Sequence, residues 1–364
     1  MQNSLVVEAS APSNIALIKY MGKIAGTQDN TPTNASFSYT LEHLRTTVRI
    51  SSLDGATDSS KSVAEPIAEL ATELTTDQWR SLSADFQLSE KGRNKFLNHL
   101  KFLKKTWGLS QNFLVESANN FPSDCGLASS ASSFAALTLA AEQMRQKIQQ
   151  LENKIDFGLT DLQKLSQLSI LSRQGSGSSC RSLFSPWALW KDQGAEPVEI
   201  QHLPQLLHLV VVVDAGIKNI SSSEAHLRVG QSPLFVGRVQ RAERRLENLL
   251  HHLRQVGEAR LSTSISSKKV ADESWSAAFQ IVWDEFEDMH QLFETSPQTF
   301  TYRDQRVYDL LDWCKRQWKT QGQGPLVTMD AGPNIHCLFK PEDLAIYYQW
   351  KEHFQKQYPV IGEL

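Results

Sequence analysis

Chemistry in this chain has to come from a few polar segments that interrupt apolar surroundings. In Pro12-Ser13-Asn14-Ile15-Ala16-Leu17-Ile18-Lys19-Tyr20-Met21-Gly22-Lys23, two lysines four residues apart flank Tyr20 and are spaced to face one anion. The same lysines also suit a plain solvated surface. Gly175-Ser176-Gly177-Ser178-Ser179-Cys180-Arg181 combines small residues that let a ligand approach the backbone with an arginine able to clamp a phosphate or carboxylate. A Gly/Ser linker would read the same way. Lys218-Asn219-Ile220-Ser221-Ser222-Ser223 follows an apolar strand, where hydroxyls commonly cap the next helix. Asp330, ahead of Ala331-Gly332-Pro333-Asn334, places a carboxylate at a tight turn after an apolar strand, held as a reacting group must be. An Asx turn is the alternative.

The segment Asn119-Asn120-Phe121-Pro122-Ser123-Asp124-Cys125-Gly126-Leu127-Ala128-Ser129-Ser130 says most about the ligand. It runs into the Ala-rich pattern Phe134-Ala135-Ala136-Leu137-Thr138-Leu139-Ala140-Ala141. A helix start offers unpaired N–H groups and the positive end of a dipole. Small hydroxyl residues there leave room for a polyphosphate, so a nucleotide phosphate or similar anion is expected. An ordinary Ser N-cap fits the same pattern, and no Gly-Lys-Ser/Thr of a Walker A loop is present.

The elements that must position these groups are mixed. Strands are expected at Leu5–Ala9, Thr46–Ile50, Phe113–Val115, Leu207–Val213, Pro325–Met329 and His336–Phe339, the last two forming a hairpin. Ile15–Ile18 is ambiguous between strand and helix. Helices are expected at about Lys91–Thr106, Thr160–Arg173, Phe235–Leu253, Ser276–Phe293 and Gln305–Gln317. Asp54–Thr76 and the Ser/Lys-rich Leu261–Lys269 read as exposed connections, and a domain change falls near 185–205. The absence of regular βαβ spacing favours α+β over a doubly wound sheet.

At 364 residues the chain is long enough for about two domains. Its net charge of -3 gives no global basic field for nucleic acid. The four cysteines, Cys125, Cys180, Cys314 and Cys337, lack metal spacing and are expected to be free thiols. The N-terminus has no signal-peptide pattern and no apolar run is long enough to span a bilayer, so a cytoplasmic, non-membrane protein is expected.

Taken together and in order, the segments resemble the diphosphomevalonate decarboxylase family of the GHMP kinase superfamily. The likeness runs through Ala11-Pro12-Ser13-Asn14-Ile15-Ala16, Ile18-Lys19-Tyr20, Asn34-Ala35-Ser36-Phe37-Ser38, Gly126-Leu127-Ala128-Ser129-Ser130, Gly175 to Leu183 and Met329 to Asn334. The Gly-Leu-Ala-Ser-Ser loop alone marks the superfamily; the Gly-Ser-Gly-Ser-x-Cys-Arg-Ser segment with a later Asp-Ala-Gly-Pro-Asn is far more specific.

The resemblance implies an α+β, two-lobed GHMP kinase fold, residues 1–190 and 191–364, with the active site in the cleft between lobes. It implies consumption of ATP with Mg²⁺ to convert mevalonate 5-diphosphate into isopentenyl diphosphate, ADP, phosphate and carbon dioxide, through transient phosphorylation of the tertiary hydroxyl. Asp330 would orient or deprotonate that hydroxyl, with Lys19 beside it and the transferring phosphoryl. Arg181 and Asn14 would hold the substrate carboxylate. Tyr20, Lys23, Arg93, Ser176 and Ser178 would hold the diphosphate, and Ser221 and Ser222 would lie near the substrate. Gly126, Ser129 and Ser130 would hold the ATP phosphates. The metal ligands stay unassigned, and relatives imply a homodimer.

The chain departs from the family pattern at Met21, usually Trp, at Ser123-Asp124-Cys125, usually small residues, and at Ser223-Glu224-Ala225-His226, where Thr-x-Gly-Met is usual. Alternatives are a decarboxylase for mevalonate 5-phosphate, a small-molecule kinase that stops at the phosphoester, and a non-catalytic paralogue. Lys23 and Arg93 argue against the first, and the Arg181 clamp against the second. Retention of Asp330, Lys19 and Arg181 argues against the third.

Overall fold

The computed structural model describes residues 5–24, 30–53, 76–122, 129–151, 159–214, 216 and 220–364. The chain divides into two compact units: Met1–Ser13, Leu44–Phe121 and Ser129–Leu183 form one, and Asn14–His43, Pro122–Ala128 and Phe184–Leu364 the other. The division is therefore not the single cut at 190 that the sequence suggests. Strands β1 (Val6–Ile18) and β2 (Ser36–Ser52) are long enough to begin in one unit and end in the other. The ambiguous Ile15–Ile18 is strand.

In the first unit, the later half of β2 pairs antiparallel with β4 (Phe113–Asn119), and β4 pairs parallel with the short β3 (Gln78–Ser81). Helix α1 (Glu90–Trp107) starts at an N-cap Ser89 and stops where Gly108 turns left-handed, the ordinary chemistry of a helix with defined ends. Helix α2 (Ser129–Leu151) is the Ala-rich segment, buried on most faces through its first turns by Ala131, Ser132, Ala135, Ala136 and Leu137. Small side chains are what allow a helix to be enclosed so tightly. Helix α3 (Asp161–Gly175) opens with a Thr160/Gln163 capping box. It ends at Gly175, where a Cβ would sit 2.2 Å from Phe134 Cδ1, so only glycine lets the chain leave α3 against α2. A 3₁₀ segment, Gly177–Leu183, follows directly.

In the second unit, the first half of β2 pairs with β5 (Trp187–Lys191), which pairs with β6 (Gly194–Pro197). This hairpin occupies the region expected to be a domain connection; its Trp-Ala-Leu-Trp core is buried, with Trp187 and Trp190 at 2% and 0% exposure. A second sheet has the antiparallel order β10-β7-β9-β8. It is built from β7 (Leu207–Val211), β8 (Leu326–Thr328), β9 (Ile335–Phe339) and β10 (Val360–Gly362). The expected hairpin of β8 and β9 is present, with Thr328 opposite His336.

The helices of this unit are α4 (Ser222–Arg228), α5 (Arg238–Ala259), α6 (Ile265–Thr295), α7 (Gln305–Gln321) and α8 (Leu344–Gln355). Helix α6 corrects the sequence reading. The Ser/Lys-rich stretch expected as loop is largely its first turns, because Ser264 caps it by accepting from Ser267 N–H. At 31 residues α6 is about 46 Å long, and it buries Trp275, Phe279, Val282, Phe286, Met289 and Phe293. Cys180, Cys314 and Cys337 are buried free thiols; Cys125 and most of the 54–76 connection lie outside the described residues. Among the described residues, no helix is long and apolar enough to cross a membrane.

Candidate active site

In the second unit, strand β1 delivers Lys19 at its end and the turn after β8 delivers Asp330. Lys19 is 1% exposed, and its Nζ lies 2.7 Å from Asp330 Oδ1 and 2.6 Å from the carbonyl of Ala16. The Asp330 side chain is 28% exposed, so one member of the pair faces the interior and the other reaches solvent. The turn is closed by Gly332 N–H donating to Asp330 O at 2.8 Å. A carboxylate held this way, with a buried ammonium against one oxygen, can accept a proton from a hydroxyl while the ammonium steadies negative charge nearby.

The backbone of Lys19 is anchored as firmly as its side chain. Its N–H donates to Glu285 Oε1 at 2.9 Å, and its carbonyl accepts from Asn34 Nδ2 at 3.0 Å and Arg238 Nη2 at 3.3 Å. Glu285 is fully buried and paired through both oxygens with Arg238, itself fully buried, and with Arg245. Asp288, one turn on, takes Arg238, Arg241 and Arg245. Burial pushes the Asp288 carboxyl up, but the bonds from Arg241 and Arg245 and the charge of Arg238 outweigh it and hold its pKa below the usual range. Burial acts against the charge of Arg238, yet Glu285 and Asp288 prevail and raise its pKa. The sequence reading missed this network. Its signal is Glu285 on the same helical face as Ala278, Val282 and Met289, where a charge has no business without a partner.

The other residues expected in this unit spread along one loop and one helix start. Tyr20 donates to Asn30 O at 3.3 Å, and its ring lies 4.1 Å from that of His226 and 4.6 Å from that of Trp190. Lys23 Nζ donates to Asn30 Oδ1 at 2.6 Å, and burial lowers its pKa. Between them Gly22 has φ of 97°, and its N–H donates to His226 Nδ1 at 3.1 Å. His226, noticed in the sequence only as a departure, thus holds the Tyr20–Lys23 loop. Met21 is 2% exposed in an apolar cluster with Ala225, Val229, Met289 and Phe293, so it occupies packed space. Asn14 is buried within β1. Ser221 caps α4 by accepting from Glu224 N–H at 3.3 Å, and both Ser221 and Ser222 are exposed.

In the first unit, hydroxyls gather at the start of α2 and the end of α3. Ser176 Oγ donates to Ser130 Oγ at 3.3 Å and lies 3.3 Å from Ser178 Oγ, with Ser129 next in the chain. The α2 N-terminus supplies the orphan amides and positive dipole end that attract phosphate. Arg181 is 3% exposed within the 3₁₀ segment that follows. Arg93 is exposed in the first turn of α1, and no hydrogen bond among the described residues ties its guanidinium to the serines. Gly126 lies outside the described residues.

Mixed helices and sheets that carry these two groupings define an enzyme of the GHMP kinase fold. A family model described as the diphosphomevalonate decarboxylase-like N-terminal domain matches residues 11–198. A diphosphomevalonate decarboxylase from Gibberella zeae is 32% identical over 367 residues, spanning 95% of this chain and 84% of its own. A mevalonate diphosphate decarboxylase structure from Legionella pneumophila matches with a TM-score of 0.78 and 36% identity, covering 98% of this chain and 100% of that one. A structure described as MDDEF in complex with MVAPP, AMPPCP and magnesium matches at 0.73 and 26%, covering 98% and 96%. The chain belongs to the diphosphomevalonate decarboxylase family.

Proposed function

We propose that this chain catalyses the ATP-dependent decarboxylation of mevalonate 5-diphosphate to isopentenyl diphosphate, with ADP, phosphate and carbon dioxide as the other products. The observation that carries the reading is the 2.7 Å contact between the buried Lys19 ammonium and Asp330. It puts a fixed carboxylate and a fixed cation together in a member of this family.

In this reading Asp330 Oδ accepts the proton of the tertiary hydroxyl as that oxygen attacks the γ-phosphoryl of ATP. Lys19 keeps the carboxylate oriented and offsets the charge of the oxygen and the moving phosphoryl. Phosphate is a far better leaving group than hydroxide, so the phosphorylated carbon sheds it and gains positive character. The neighbouring carboxylate then loses its carbon as CO₂, and the electron pair of that C–C bond forms the alkene. Arg181 holds that carboxylate, with Asn14, until the bond breaks. Tyr20, Lys23, Arg93, Ser176 and Ser178 hold the diphosphate, with Ser221 and Ser222 near the substrate. Gly126, Ser129 and Ser130 hold the phosphates of ATP.

Magnesium fits this arrangement as an ion carried by the nucleotide. No cluster of three acidic, His or Cys side chains gathers among the described residues. Mg²⁺ often keeps its waters and binds mainly through substrate phosphates. The hydroxyls of Ser129 and Ser130, beside the ATP phosphates in this reading, are the groups that would complete its surroundings, and the ion would neutralise charge on the β- and γ-phosphates. The proposal extends to a cytoplasmic homodimer, as the family resemblance implies.

The test is turnover of ATP with mevalonate 5-diphosphate, scored for ADP and CO₂ together. One-to-one release is expected. ADP without CO₂ would mean a kinase, and activity confined to mevalonate 5-phosphate would overturn the substrate.

A further inference from the structure

Helix α6 reaches the two members of the Lys19–Asp330 pair separately. Glu285 accepts from the Lys19 backbone N–H at 2.9 Å. Five residues further on, His290 Nε2 lies 3.2 Å from the Asp330 backbone carbonyl. Five helical residues advance about 7.5 Å along the axis, so one rigid rod fixes both attachment points.

Neither anchor is what packing alone would choose. His290 is fully buried among Phe286, Phe293 and Tyr302, all edge-on to its ring. Burial first, then the charges of Arg303 and Lys19, push its pKa down to about 3, so the imidazole is neutral. A carbonyl only accepts, so the ring proton sits on Nε2 and points at Asp330 O. That leaves Nδ1 with a lone pair and no hydrogen-bond partner among the described residues. A phenylalanine would fill the space without burying an unpaired polar atom. The histidine therefore costs stability, and the bond to Asp330 is what it offers in return. Glu285 is likewise a buried carboxylate, whose charge is offset by the fully buried Arg238 and the half-buried Arg245. Arg238 then reaches the Lys19 carbonyl, so the peptides on both sides of Lys19 Cα are gripped.

We propose that Glu285 and His290 are positioning residues of the reaction: together they set the separation and aim of the Lys19 ammonium and the Asp330 carboxylate. The inference rests on the reading of that pair as catalytic.

The decisive variant is His290→Phe in the full chain, which keeps the ring and removes the donor. Its kcat should fall by about 10- to 100-fold, the scale on which a sub-ångström to 1 Å misplacement acts. KM for ATP and for mevalonate 5-diphosphate should stay within about 2-fold, and the melting temperature should hold or rise. The acid limb of the rate profile should move to higher pH, because a carboxylate less closely met by Lys19 is easier to protonate. His290→Gln, whose amide can donate again, should recover part of the loss. In an Asp330→Asn background, His290→Phe should cost little more, since its effect runs through Asp330.

Wild-type kcat and an unmoved acid limb in His290→Phe would overturn the proposal. Losses that simply add in the double variant would do the same. Glu285→Gln, which keeps an acceptor for Lys19 N–H, is the companion, but it leaves the buried Arg238 with Asp288 as its one remaining carboxylate among the described residues, and its failure to fold would leave the His290 series to decide. Failure of the underlying reading looks different: Asp330→Asn would then be active, whatever His290 does.

Discussion

Replacing Asp330 with asparagine separates the chemistry of the site from its architecture. The amide keeps an oxygen for Lys19 Nζ, now 2.7 Å from Asp330 Oδ1, and Ala16 O still accepts from the same ammonium at 2.6 Å. The Asp330 side chain is 28% exposed, so water replaces some of the lost charge. The stability loss is then about 1–3 kcal/mol, below the 3–5 of a fully buried pair. For 364 residues, an unfolding entropy of about 2.1 cal/mol/K per residue converts this to a melting-temperature drop of only ~1–4 °C. Catalysis should suffer much more. Losing a positioned base costs roughly 10²–10⁴-fold, or about 2.7–5.5 kcal/mol of barrier. Steady-state ADP and CO₂ release at saturating ATP and mevalonate 5-diphosphate reads the rate, with nucleotide affinity and a thermal melt measured in parallel. Nucleotide affinity should be nearly unchanged. A kcat within a few-fold of wild type, alongside the small melting shift, would show the pair to be purely structural.

Arg181→Gln should lower CO₂ release by on the order of 10²-fold, as loss of a preorganised electrostatic contact does, while circular dichroism shows a folded chain; unchanged kinetics would remove its role as carboxylate clamp. His226→Phe keeps a ring against Tyr20 but no longer accepts from Gly22 N–H. One lost hydrogen bond of about 1 kcal/mol should raise KM for mevalonate 5-diphosphate roughly 5-fold with kcat little changed. His226→Asn, with an acceptor at the Nδ1 position, should restore KM, and if both variants match wild type the loop needs no such tie. Acid should unfold the protein early. Burial, with nearby charges contributing, depresses His99 and His290 to about 3 and His336 to about 4, and holds His208 well below its ordinary value. These groups stay neutral when folded but take up protons when unfolded, so their stability is intact above pH ~6.5 and lost below it. Each contributes a slope of about 1.4 kcal/mol per pH unit between its unfolded and folded pKa. Protonation would also set N–H against N–H where His208 Nε2 lies 2.9 Å from His336 Nδ1. Melting temperatures measured from pH 7.5 to 4.5 should fall steeply below pH 6, and a flat profile would contradict the assignment of buried neutral rings.

Local chemistry made much of this legible from the chain alone. Ser89 and Thr160 cap the helices expected near them, Gly108 ends α1 with a left-handed residue, and α1 and α3 lie within two residues of their expected bounds. The Asp330 turn and the β8–β9 hairpin were also readable, because an apolar strand, a Gly-Pro turn and a second strand are consecutive. The β5–β6 hairpin was missed because its strands are four and five residues long and sit where composition suggests a boundary. The first turns of α6 were missed because serines that cap a helix look the same as serines in a loop until the cap is seen.

What the sequence determined by itself is the family and a set of candidate groups: motif order singled out which lysine, arginine, serines and aspartate to watch. What only the tertiary structure decided is which groups meet. Lys19 and Asp330 are separated by 311 positions, and Glu285, Arg238 and His290 show their importance only once burial makes each unpaired polar atom costly. Spacing along a chain encodes helix faces and strand alternation. A hydrogen bond across hundreds of residues is encoded by the packing of whole elements, and no local pattern carries it.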